Sequence, residues 1–361
     1  KLRRRLTFKK IEDIITKIED DLYISIFETN KSPKISLSKL IEKLEFIRET
    51  VINEHKSLFL DKLDELIDKV KIFGYHFATL DIRQDSRIHS KVFEEIFKKA
   101  FSKEFPDNYS ILSEVKKIKI LSKLKGKKIN KIKFDDALVN STIESIGAMK
   151  TIQKSNGEKG CHRYIISNNQ TAVNILEVFT MFKLCEWENP TVDIVPLFET
   201  INDLDVCSDV MEVVYNNKDY RSHLKLRNDT QVIMLGFSDG TKDGGYLTAN
   251  WSILKAKEVL TKLSRKYGIK VIFFDGRGGP PARGGGNTHQ FYSALGNLVE
   301  SDQIQITVQG QTISSNFGTL DSCQYNLEQL LSSGVKNRII SDKEIFSRNH
   351  RKTLDKLSSI S

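Results

Sequence analysis

Six short runs in this chain are rich in apolar residues, at 77–82, 163–166, 192–198, 231–237, 269–274 and 303–308. Most are followed by a segment with helical spacing. A strand that is apolar along its whole length is buried on both faces, and parallel pairing needs a crossover such as a helix between strands. The pattern therefore predicts an α/β fold, either a doubly wound sheet or most of a (β/α)8 barrel. The stripe Val92, Phe93, Ile96, Phe97 and Ala100 has the period of a half-buried helix. Further helices are predicted over 137–152, 171–184, 203–227 and 248–267, with Gly268 closing the last. Residues 8–26 and 37–72 read as helices without strands, with Gly74 as a stop. No internal repeat is visible.

Composition narrows the function classes. The chain has 361 residues, 39% of them hydrophobic and 29% charged, enough for a sizeable core and too apolar for wholesale disorder. No apolar run reaches the length of a membrane-spanning helix. Cys161, Cys185, Cys207 and Cys323 are scattered without a CxxC pair, which argues against a disulfide framework or structural zinc and for a reducing compartment. The net charge is +9, and nine lysines lie between Lys116 and Lys133. That run lacks the interleaved aromatics and arginines of a polyanion site, so it reads as a solvated face. The chain opens KLRRRLTF, without Met or a signal core. It reads as a piece of a longer cytoplasmic protein.

The polar residues that stand out share an address at the C-terminal ends of predicted strands. Arg83 follows the first, Glu199 follows VPLF, Asp239 and Lys242 follow VIMLGFS, and Arg277 and Arg283 follow VIFFD. In a (β/α)8 barrel this face carries the active site. Glu199 and Asp239 are the candidate metal pair, since two carboxylates on separate strands suit Mg²⁺ or Mn²⁺. The plainer alternatives are that Glu199 caps a helix and Asp239 makes a turn with Gly240. Lys242 falls in SDGTKDGG, which reads as a loop of small residues. In DGRGGPPARGGGNTHQ, glycines let backbone N–H groups approach an anion and arginines supply forked donors. Pro280 and Pro281 follow Gly276-Arg277-Gly278-Gly279 directly, so this is not a dinucleotide-binding turn. His89 and His289 read as satisfied histidines, Cys207 has no histidine beside it, and no nucleophile–base set can be assembled.

Four segments carry a more specific signal. FGYHFATLDIRQDSRIHS, VPLFETINDLDVCSDVM, MLGFSDGTKDGGYLTANW and FFDGRGGPPARGGGNTHQ occur in this order. As a set they resemble the central motifs of the phosphoenolpyruvate carboxylase family, bacterial type, from Leu2 to Ile339. The resemblance implies a (β/α)8 TIM-type barrel, partial or most of it, with extra helices. Residues 1–72 would be a helical segment packing on the barrel, 73–316 the barrel core, and 317–361 a helical segment leading to a missing C-terminal part. It implies a lyase that joins phosphoenolpyruvate and bicarbonate to give oxaloacetate and phosphate, feeding the tricarboxylic acid cycle. It further implies Mg²⁺ or Mn²⁺ as cofactor, a cytoplasmic homotetramer, and neither nucleic acid nor membrane as partner.

Carried over motif by motif, Glu199 and Asp239 would be metal ligands. Arg83 would bind phosphate, together with Arg277, Gly278 and Gly279. Lys242 would be an active-site cation, Arg277 would stabilise the transferred phosphoryl group, and Arg283 would serve carboxylation and, in bacterial members, an aspartate inhibitor. Other catalytic residues of the family would lie outside this chain, which implies that the chain alone is catalytically silent. Three departures stand out: Asp275 where the family has His, Pro280-Pro281-Ala282 where it has T-V-G, and Asn287 where it has Pro. They bear on the loop's pH response and inhibitor contact more than on the reaction class. Two other classes fit the residues: a different metal-dependent barrel enzyme acting on a phosphorylated enol, and a non-enzymatic anion- or RNA-binding protein.

Overall fold

In the computed structural model, the described residues are 8, 10–28, 34–105, 108–129, 132–340 and 347–360. The opening KLRRRL segment and Lys131 of the lysine-rich run lie outside them. The chain divides into two compact units, Lys1–Asp81 with Ser145–His162, and Ile82–Glu144 with Arg163–Ser361.

The first unit is built on α1 (Glu12–Phe27), α2 (Leu37–Glu54) and α3 (Leu60–Phe73). The helical run read over 37–72, with room for one break, is two helices, α2 and α3. Ser36 caps α2 by accepting the Lys39 N–H, and Gly74 ends α3 at φ 51°. Leu40, Leu44, Ile47 and Val51 of α2 meet Ile18 of α1 and Ile67 of α3 in one apolar cluster. Their i, i+4, i+7 spacing puts them on one helical face.

The second unit holds a six-stranded sheet in the order β1-β2-β3-β4-β5-β6. The strands are β1 (Asp81–Asp85), β2 (Arg163–Ser167), β3 (Asp193–Phe198), β4 (Thr230–Leu235), β5 (Lys270–Gly278) and β6 (Ile304–Val308). Each pair from β2 to β6 is parallel. A doubly wound sheet reverses its strand order at a switch point. The strictly sequential order here removes that alternative and leaves a curled half-barrel, the arrangement of part of a barrel wall.

Alternate strand residues form the inner face. Ile165, Val195, Leu197, Val232, Met234, Ile272 and Phe274 make one buried cluster. On the strands pack α7 (Ala172–Leu184) and α8 (Ile201–Asn216), against β3, and α10 (Phe237–Lys266), against β5. The helix expected over 203–227 is two, α8 and α9 (Lys218–Leu226). A short helix, α11 (Thr288–Ser293), follows the glycine-rich segment after β5.

Three local expectations need correction. The first strand begins at Asp81 rather than 77, because Phe77 takes a left-handed conformation (φ 57°) and stays exposed. Arg83 therefore lies within β1 and not after it. Residues 237–244 are helical rather than a loop, with the break displaced to Gly245 (φ 75°, ψ 170°). Arg277 lies inside β5, which runs on to Gly278 past a register shift against β6.

The lysine-rich run matches its solvated-face reading. Lys125, Lys127 and Lys128 pair with Asp219, Glu104 and Glu186, and Lys117 sits over the Tyr109 ring. Among the described residues no helix is long and apolar enough to cross a membrane.

Candidate active site

Leu197 points into the inner cluster and Phe198 toward the helices, so the alternation of β3 returns Glu199 to the inner side. Its carboxylate is held at both oxygens. Oε1 accepts from Arg83 Nη2 at 2.9 Å, and Oε2 accepts from the Asn168 backbone N–H at 2.9 Å. Three strands thus meet at one side chain: Arg83 from within β1, Asn168 from the end of β2 and Glu199 from the end of β3. Asn168 is in a left-handed conformation (φ 54°), and its carbonyl accepts the Ser86 hydroxyl.

Glu199 does not cap the helix that follows it. That task falls to Thr200 and Asp203, which form a reciprocal capping box at the start of α8. Asp203 accepts the N–H groups of Glu199 and Thr200, and its other oxygen is buried without a partner. Glu199 is left free to face the site.

The end of β4 is pressed against Glu199. A Cβ on Gly236 would lie 3.0 Å from the Glu199 Cα, so a side chain there would crowd the Glu199 backbone. Phe237 then opens α10. Asp239 sits in its first turn, where a carboxylate also favours the helix dipole. Asp239 Oδ1 accepts from Lys242 Nζ at 2.9 Å, and both side chains are well exposed. Asp243 ties this turn to the start of α8 by accepting the Ile201 N–H.

The glycine loop after β5 is closed. A Cβ on Gly285 would overlap the Gly279 carbonyl, so only glycine permits the fold-back. Arg277 is buried beneath it. Nη1 donates to the carbonyls of Gly286 at 3.2 Å and Asn287 at 3.5 Å, and Nη2 to that of Gly285 at 3.5 Å. Its guanidinium lies over the Phe291 ring at 4.2 Å. Nε has no partner, and burial pulls the group's pKa down. Arg283 is exposed and donates to Gln309 at 3.4 Å.

The predicted residues therefore fall into three groups. Arg83 and Glu199 share an ion pair, Asp239 and Lys242 pair beside them on the next strand end, and Arg277 and Arg283 belong to the β5 loop. Residues absent from the sequence reading are Asn168, Lys257, Phe291 and Tyr292. Only Lys257 carried a signal, a charge set among Ile253, Ala256 and Leu260 on the buried side of α10.

The other candidates recede. His89 is fully buried, faces the Tyr164 hydroxyl at 3.0 Å, and has its pKa pushed down to about 3 by burial. Burial pushes the Cys207 thiol up to about 12. Among the described residues no cysteine forms a disulfide.

Glu199 and Asp239 are hard oxygen donors of the type Mg²⁺ or Mn²⁺ takes, each now paired with a side-chain cation. Among the described residues no group of three or more His, Cys, Asp or Glu forms a metal cluster. A cation here would take its remaining ligands from water or substrate.

The phosphoenolpyruvate carboxylase family model matches residues 3–361. That family consists of lyases that act on phosphoenolpyruvate and bicarbonate and use a divalent metal. Matched across virtually its whole length, the chain belongs to the phosphoenolpyruvate carboxylase family.

Proposed function

We propose that this chain carries the substrate- and metal-binding centre of a phosphoenolpyruvate carboxylase, which joins phosphoenolpyruvate and bicarbonate to give oxaloacetate and phosphate. The observation that carries the reading is the convergence at Glu199. Its carboxylate lies at a β3 end, held by Arg83 of β1 and by the end of β2, with Asp239 and Lys242 on the adjoining strand end. Residues far apart in sequence meet on the face where barrel enzymes place their chemistry.

In this reading Arg83 and Lys242 bind the anionic groups of phosphoenolpyruvate. Arg277 contributes forked donors to the phosphoryl group as it passes to bicarbonate. Gly278 and Gly279 let the backbone come close to the same group. Arg283, at the loop surface, faces the carboxylation step. Glu199 and Asp239 would hold Mg²⁺ or Mn²⁺, which when bound supplies Lewis-acid stabilisation of developing negative charge. The glycine loop buries Arg277, so its charge acts from surroundings of low dielectric. A TIM-type barrel, a cytoplasmic homotetramer and a role in supplying the tricarboxylic acid cycle complete the proposal.

The test is Mn²⁺-dependent conversion of phosphoenolpyruvate and bicarbonate to oxaloacetate by the protein that carries this chain, compared with its Glu199→Gln and Asp239→Asn variants. Both substitutions should abolish turnover. Full carboxylation by either variant at ordinary metal concentration overturns the assignment.

A further inference from the structure

The β5 strand carries a second charged group beside Arg277 that the proposed chemistry does not use. Asp275 is fully buried, and its Oδ2 accepts two hydrogen bonds at 2.7 Å, from Lys257 Nζ of α10 and from the Tyr292 hydroxyl of α11. Lys257 is as buried as its partner. Its Nζ lies over the rings of Phe273, Phe291 and Tyr292 at 5.1, 5.3 and 5.6 Å. Phe291 is therefore flanked by two cations, Lys257 and Arg277, the latter at 4.2 Å. Burying an unpaired charge costs several kcal/mol, so an acid and a base placed together here stabilise one another.

The charge count gives the pairing its meaning. Lys257 and Asp275 cancel. Arg277 forms no ion pair among the described residues, and its Nη donors meet neutral carbonyls. Were Asp275 alone beside Arg277, its charge would offset the one charge needed for a phosphoryl group. We propose that Lys257 is a positioning residue whose role is to neutralise Asp275, so that Arg277 keeps an uncompensated positive charge for the substrate anion. Tyr292 fixes Asp275 toward Lys257. The same contacts pin both ends of the glycine loop, β5 through Asp275 and α11 through Phe291 and Tyr292. The inference rests on reading Arg277 as an anion contact.

The test measures phosphoenolpyruvate binding by calorimetry in the presence of Mn²⁺, for wild type and four variants, each checked for folding by thermal melting. Lys257→Gln leaves Asp275 uncompensated and should weaken binding roughly tenfold or more. Asp275→Asn removes the negative charge and should bind at least as tightly as wild type, even if it melts lower. The double variant Lys257→Gln with Asp275→Asn restores the balance and should return to within about twofold of wild type. A role in packing alone would weaken binding in both single variants, whereas the charge account gives them opposite signs. Wild-type affinity in Lys257→Gln, or equal weakening in Asp275→Asn, overturns the inference. Wild-type affinity in Arg277→Gln overturns instead the reading of Arg277 on which it rests.

Discussion

Replacing Glu199 by Gln separates the metal role of this carboxylate from its structural one. The side chain accepts two hydrogen bonds, from Arg83 and from the Asn168 N–H, each 2.9 Å. Gln keeps the shape but has one acceptor oxygen, so one donor loses its partner. Arg83 is 52% exposed and can return to water, so its lost ion pair costs about 0–1 kcal/mol. The Asn168 N–H, if orphaned, costs about 1–2 kcal/mol. The sum is roughly 1–3 kcal/mol, a melting shift of several degrees. Metal affinity should respond more strongly. One of two carboxylate ligands is neutralised, and a tenfold rise in Kd, about 1.4 kcal/mol, is the least expected. The assay is electron paramagnetic resonance titration of free Mn²⁺ beside a thermal melt of the same samples. Unchanged Mn²⁺ affinity in a protein that melts lower would show that Glu199 serves only to hold the strand ends together.

Arg277→Lys should lose roughly 10²–10³ in turnover although charge is kept, because an ammonium can neither stack on Phe291 as a plane nor donate as a fork. Turnover at saturating substrate checks it. Gly285→Ala places a methyl on the Gly279 carbonyl and should cut activity while shifting the melt only modestly. Steady-state kinetics beside a melt separate the two effects. Glu177 is fully buried and accepts from Ser90, and its carboxyl pKa is raised by burial to about 7. The folded protein therefore holds this proton to higher pH than the unfolded chain does. This group's contribution to stability is greatest below the ordinary glutamate pKa of about 4.3. It falls by roughly 3 kcal/mol as pH rises to about 7 and then levels off. Glu177→Gln should flatten that slope in melting curves recorded from pH 4 to 8.

Apolar runs mark the strands, so the positions of Glu199 and Asp239 past β3 and β4 were legible, whereas Arg83 and Arg277 prove to lie within β1 and β5. The contact between Arg83 and Glu199 was not, since they lie 116 residues apart and only the sheet order brings β1 toward β3. SDGTKDGG was read as a loop because glycine disfavours helix interiors. It folds as a helical turn, with its break at Gly245. The glycines of the β5 loop were read as allowing close approach to an anion; the close approach in the structure is of the loop to itself, at Gly285 and Gly279, with Arg277 beneath. Asp275 stands two residues before Arg277 on β5, but its ion-pair partner is not that arginine. The partner is Lys257, whose charge within the buried stripe of α10 was the sign of an acid nearby. The doubly wound alternative fell only when strand order was known, because local pattern carries no information on which strands pair.

The most direct test of the account follows the oxygen atoms. The protein that carries this chain is supplied with phosphoenolpyruvate, Mn²⁺ and ¹⁸O-labelled bicarbonate, and its products are read by mass spectrometry. If bicarbonate attacks the phosphoryl group in the site formed by Arg83, Lys242 and Arg277, oxaloacetate forms and each phosphate released carries one labelled oxygen. Unlabelled phosphate, or pyruvate formed at the same rate without bicarbonate, would contradict it.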